Sequence, residues 1–182
     1  MKRDTVKLNS IIEYYENTEQ FFWTVSECEM NKEQIGNSLK YIGIAAQERI
    51  FRIDKNGFQK LKSYSNTSEA SKNNLDFDVI NFYSSSKVRT IITFNKWIHD
   101  IVKSNITYWR DNYDWLNPLL MQEYITDEAY AYFGKSKDYK NRVAFQYQMI
   151  YKNYLPLLKT FRAKSRQLLK SINAEYEFEE TG

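Results

Sequence analysis

The sequence predicts an all-α fold, a compact helical bundle of four to five helices with a long, Pro-kinked C-terminal helix. Apolar and aromatic residues recur at spacings of three and four in successive runs, the repeat of a single helix face. No stretch alternates apolar and polar residues with period two, and Asn56-Gly57, the one hairpin-like pair, follows a helical pattern. With 5 Gly and 2 Pro in 182 residues, there is little material for tight turns. A chain of this length reads as one unit, a single helical domain over residues 1–182.

The first helix places apolar residues at 8, 11, 12, 15, 22 and 25. Asn31 precedes a second helical run, Ile35, Leu39, Ile42, Ala46, Ile50 and Ile53, which Gly57 interrupts. Residues 63–76 read as a polar loop, because their short polar side chains compete for backbone hydrogen bonds. Asp78 is placed to cap a third run, in which Val88, Ile91, Phe94, Ile98, Ile101 and Trp109 share a face. That run ends by Asn117, since Pro118 disfavours helix in the residue before it. A shorter helix follows from Leu119 to Phe133, with Gly134 as its stop signal.

The last run, Val143, Tyr147, Ile150, Tyr154, Leu157, Phe161, Lys164 and Leu168, is the most regular, and Lys164 is its one polar intruder. Pro156 lies inside it and should kink it by removing one helical hydrogen bond. Residues 174–182 read as a flexible acidic tail. Aromatic rows at helical spacing read as core, so Trp23, Trp97, Trp109 and Trp115 are expected largely buried, with their indole N–H groups paired.

The net charge of +3 conceals an asymmetry. Between residues 10 and 33, Glu13, Glu16, Glu19, Glu27, Glu29 and Glu33 face Lys32 alone. Between residues 135 and 170, ten Lys and Arg residues face only Asp138, a balance of +9. Lys159, Arg162, Arg166 and Lys170 stand three or four apart, which puts them on one helical ridge. Tyr139, Phe145, Tyr147, Tyr151 and Tyr154 interleave with the basic residues. Such a ridge suits nucleic acid, with phosphates on the cations and bases stacked on the aromatics. It also suits an acidic protein surface, or the acidic first helix of the same bundle.

Several chemistries lack their residues. With Cys28 as the sole cysteine and His99 as the sole histidine, no internal disulfide, zinc finger or multi-His metal site can form. Neither Gly-x-x-x-x-Gly-Lys-Ser/Thr nor Gly-x-Gly-x-x-Gly occurs, and no Gly-x-Ser-x-Gly elbow exists. Cys28 lies between Glu27 and Glu29, which disfavours a thiolate. Glu13, Glu16 and Glu19 share a helix face but lack the Glu-x-x-His partner of a di-metal site, because Lys96 stands three before His99. His99 reads as a buried or half-buried structural histidine, with a pH-sensitive contact as the functional alternative. No apolar run follows the charged start at Met1–Lys7, and none is long enough to span a membrane.

The helical layout resembles HEPN domains, α-helical bundles of which many act as ribonucleases through an Arg followed, after about four to six residues, by a His. Here His99 is preceded at the required positions by Ile92, Thr93 and Phe94, and the nearest upstream Arg is Arg89. The resemblance therefore implies the bundle and not the ribonuclease motif.

The reading that results is a non-enzymatic cytoplasmic binding protein without cofactor or metal. It would engage a protein or nucleoprotein partner through the basic-aromatic C-terminal helix, with Lys152, Lys159, Arg162, Arg166, Lys170, Tyr147 and Tyr151 as the contact residues. Direct nucleic-acid binding by the same ridge is the alternative, and a homo-oligomer is a further possible arrangement. Abundant Lys, Asn, Ile and Tyr suggest an AT-rich bacterial or phage source, and with it a regulator or inhibitor in phage–host conflict.

Overall fold

The computed structural model describes residues 2–37, 43–54, 56, 58, 59, 63, 74–122 and 124–180, and every regular element among them is helical. The elements are α1 (Lys2–Glu27), α2 (Lys32–Asn37), a 3-10 turn (Gly43–Ala46), α3 (Asn74–Ser84), α4 (Ser86–Asn112), α5 (Leu116–Gln122), α6 (Asp127–Lys135), α7 (Lys137–Met149), a π-helical segment (Ile150–Tyr154) and α8 (Leu155–Glu180). The all-α expectation is met, with several boundaries moved.

The second run is not one helix. Helix α2 covers only its first turns, and residues 47–54 are irregular; Leu39 and Ile42 lie outside the described residues. The helix after the polar stretch begins at Asn74, four residues before Asp78, so residues 74–76 of the expected loop are helical; residues 64–73 lie outside the described residues. Helix α4 ends at Asn112, within the expected limit of Asn117. Pro118 falls in the first turn of α5, where the missing N–H would have no helical partner in any case. The expected Leu119–Phe133 helix is two, α5 and α6, and Thr126 caps the second by accepting the Ala129 N–H. Gly134 lies inside α6 and does not end it. Ser136 closes α6 and opens α7, its N–H donating to the Tyr132 carbonyl and its hydroxyl accepting from Tyr139 N–H. The backbone of the acidic tail is helical through Glu180.

Pro156 acts as its chemistry dictates. It has no N–H to offer the Lys152 carbonyl, and the helix relaxes into the wider π spacing over Ile150–Tyr154 just before it. Within that stretch the Asn153 side-chain amide donates to the Gln148 carbonyl at 2.8 Å.

The residues form two compact units: 1–14, 50–95 and 154–182 make the first, and 15–49 and 96–153 the second. In the first unit, Leu8, Ile12, Phe51, Val88, Ile91, Tyr154, Leu158 and Phe161 are buried, and α8 packs on α3. Asp4 is buried too, one carboxylate oxygen accepting from Asp54 N–H at 3.1 Å and the other from the Tyr83 hydroxyl at 3.0 Å. In the second unit, Phe22, Val25, Ile35, Ile44, Trp109, Trp115, Phe133 and Val143 are buried, α6 packs on α2 and on α7, and α7 packs on the 3-10 turn.

The irregular stretch around residues 45–54 explains most of the buried polar side chains. Buried backbone groups need partners, and here helix side chains supply them. In the second unit, Asn105 donates to the Ala45 carbonyl at 2.6 Å and Gln146 to the Gln47 carbonyl at 3.2 Å. The Tyr15 hydroxyl accepts from Arg49 N–H at 3.1 Å and donates to the Arg49 carbonyl at 2.8 Å. In the first unit, the Tyr154 hydroxyl accepts from Phe51 N–H at 2.8 Å and Asn95 donates to the Phe51 carbonyl at 2.9 Å.

Two tryptophans depart from expectation. Trp109 and Trp115 are buried, but Trp23 and Trp97 are each 48% exposed. Trp109 donates its indole N–H to the Tyr132 hydroxyl at 2.7 Å, while the Trp115 N–H has no hydrogen-bond partner among the described residues.

Candidate functional site

Helix α8 buries Leu155, Leu158, Phe161 and Ser165, a face that fixes the direction of its cations. Lys159, Arg166 and Lys170 are exposed and Arg162 is half-buried. At 3.6 residues per turn these four lie within about 80° of one another along the helix flank. The terminal guanidinium NH2 of Arg166 donates to the Asn9 side-chain oxygen of α1 at 3.2 Å, a neutral partner. Among the described residues, Arg162, Arg166 and Lys170 make no ion pair.

The seven residues singled out from sequence divide between the two units. Lys159, Arg162, Arg166 and Lys170 belong to the first; Tyr147, Tyr151 and Lys152 belong to the second. Lys152 is exposed, with its ammonium nitrogen 5.3 Å from the centre of the Tyr147 ring.

The aromatic half of the expected surface needs correction. Tyr151 is only 5% exposed. Its hydroxyl pairs with that of Thr18 at 2.9 Å, and its ring meets Tyr15 and Phe22 edge-on at 6.0 and 5.2 Å. Tyr147 is half-buried, its ring 4.9 Å from that of Tyr151 and tilted by 31°, and it donates its hydroxyl to Glu19 at 3.3 Å. Tyr139 and Tyr154 are buried as well, leaving Phe145, at 57% exposure, as the open member of the interleaved set. The cause is periodicity itself: an aromatic repeating at three and four along a helix lies on the face that packs.

Arg142 belongs to a polar chain that the sequence did not reveal. Trp109 donates to the Tyr132 hydroxyl, which donates to Asp138 at 2.6 Å. Arg142 donates to Asp138 at 2.9 Å and to the Asn105 oxygen at 2.9 Å, while its guanidinium lies 3.9 Å from the centre of the Tyr108 ring. Burial pushes the Tyr132 hydroxyl up, and its bond to Asp138 adds to this. Burial alone would raise the Asp138 carboxyl, but hydrogen bonds from Arg142 and Tyr132 hold it below its ordinary value. Arg142 is thus committed internally and does not add to the basic surface. The i, i+4 spacing of Asp138 and Arg142 was the one signal in the sequence that could have shown this.

His99 is exposed, at 57% of its side-chain surface, and not buried as expected; its Nδ1 lies 3.1 Å from a Glu48 carboxylate oxygen. Cys28 is a free, exposed thiol. Among the described residues, no group of three or more His, Cys, Asp or Glu side chains could hold a metal ion, and no helix is long and apolar enough to cross a membrane. No protein-family model, curated protein or solved structure matches this chain.

Proposed function

We propose that this chain is a helical binding protein that docks an acidic protein surface through Lys159, Arg162, Arg166 and Lys170 of α8, in the manner of a regulator or inhibitor. The observation that carries the reading is that three of these cations, Arg162, Arg166 and Lys170, have no ion-pair partner among the described residues. Like charges at i, i+4 destabilise a helix by roughly 0.2–0.5 kcal/mol per pair, and Arg162/Arg166 and Arg166/Lys170 are two such pairs. Carboxylates of a partner would relieve that repulsion and steer the encounter.

A protein partner is favoured over single-stranded nucleic acid because Tyr139, Tyr151 and Tyr154 are buried and offer no stacking platform. The test replaces Lys159, Arg162, Arg166 and Lys170 together with Glu and compares co-purifying partners. Loss of an acidic partner from the variant is the expected result, and the same partners with both proteins would contradict it. Labelled single-stranded RNA and duplex DNA form a second arm. Binding that weakens steeply with salt, and is lost in the variant, would replace the protein reading with the nucleic-acid one.

A further inference from the structure

Lys164 interrupts the apolar stripe of the last helix and is not part of the ridge. Five residues from Lys159, it stands about 140° further round the helix. There it lines a groove of about 520 Å³ in the first unit, opposite residues of α3 and the start of α4. That volume lies in the range of small-molecule sites, roughly 300–1,000 Å³. Phe82 and Phe161, with ring centres 4.7 Å apart, and Leu168 give the groove an apolar base. A second lysine, the half-buried Lys87 of α4, lines it as well. Among the described residues, neither lysine forms an ion pair and Asp78 is the one acid in the lining.

We infer that this groove binds a small organic phosphate monoester with a flat apolar body and hydroxyl donors, a nucleoside monophosphate being the simplest. Charge selects the headgroup: a phosphate monoester carries about −1.5 to −2 at pH 7 and can neutralise two ammonium groups, where the single charge of a carboxylate neutralises one. The aromatic base selects the body, which gains by leaving water against Phe82 and Leu168. Asp78, an acceptor only when ionised, fits sugar hydroxyls or an amino group and opposes a second anionic group. The site stands apart from the ridge, so its failure would leave the proposed function untouched.

Calorimetric titration of the full chain with adenosine 5′-monophosphate tests this, with inorganic phosphate and adenosine as separate arms. The monophosphate should bind one-to-one and at least about tenfold tighter than either part alone. Lys87→Ala and Lys164→Ala should each weaken it by about tenfold or more, and Lys159→Ala should leave it unchanged. Ser171→Trp, which fills the groove without altering its charge, should abolish binding. Circular dichroism and the thermal midpoint establish that each variant is folded. Absence of saturable binding, equal weakening by Lys159→Ala, or inorganic phosphate binding as tightly as the nucleotide would each overturn the inference.

Discussion

The backbone of Gly134 lies directly against that of Met30: the Met30 N–H donates to the Gly134 carbonyl at 3.0 Å, and a Cβ at residue 134 would stand 2.4 Å from the Met30 carbonyl oxygen. Glycine is required there by close approach and not as a helix stop.

Gly134→Ala should therefore destabilise the protein despite the better helix propensity of alanine. Propensity favours the substitution by about 1 kcal/mol. Overpacking against a backbone atom costs about 1–3 kcal/mol, and the Met30 hydrogen bond would have to move as well. A net loss on the order of 1–2 kcal/mol lowers the thermal midpoint by a few degrees for a chain of this size. An unchanged or raised midpoint would show that α6 can shift away from Met30 freely.

Tyr154 and Asn95 together hold Phe51. The Tyr154 hydroxyl donates to the Asn95 side-chain oxygen at 2.6 Å while accepting the Phe51 N–H. Tyr154→Phe and Asn95→Ala should each cost about 1–3 kcal/mol, the penalty for a buried polar group without a partner. Because both act on one backbone segment, the double variant should depart from the sum by at least about 0.5 kcal/mol. Urea unfolding of the four proteins measures this, and simple additivity would dissolve the unit.

Acid stability should depend on Asp138. Its folded-state pKa is depressed, so the folded chain binds fewer protons there. The resulting stability is present above the ordinary carboxylate value of about 3.9 and is lost as pH falls through the folded value. The stability gap between wild type and Asp138→Asn should narrow below about pH 4, and a constant gap down to pH 2 would contradict this. At the alkaline end the sign reverses. Burial raises Tyr83, Tyr132 and Tyr139, and burial with a Tyr108 hydrogen bond pushes Tyr113 up to about 12. Their contribution is complete below about pH 10 and fades as pH rises through the folded values.

Lys170→Gln should raise stability slightly at low ionic strength, by about 0.2–0.5 kcal/mol, by relieving repulsion from Arg166. At 1 M salt, where the screening length is about 3 Å, the gain should vanish. Destabilisation at low salt would mean that Lys170 has a favourable partner in the folded chain.

The sequence was most readable where one face of a helix packs and the other meets solvent. Leu8, Ile12, Tyr15, Phe22 and Val25 of α1 are all buried as their spacing implies. The same rule carried the ridge, whose Lys159, Arg166 and Lys170 are exposed. It failed for Ile50 and Ile53, because Tyr154 and Asn95, far away in sequence, satisfy the backbone of Phe51 between them without helical hydrogen bonds. No local pattern encodes partners so distant. Tyr151 is buried although its neighbour Lys152 is exposed, because its ring packs edge-on against Tyr15 and Phe22.

The most direct test of the ridge is fluorescence anisotropy with a labelled helical peptide carrying Glu at three- and four-residue spacing, set against its Gln counterpart. The wild-type chain should bind the Glu peptide, bind it more weakly as salt rises, and ignore the Gln peptide, while the fourfold Glu variant of α8 should bind neither. Equal binding of both peptides, or undiminished binding by that variant, would contradict the assignment of α8 as the docking helix.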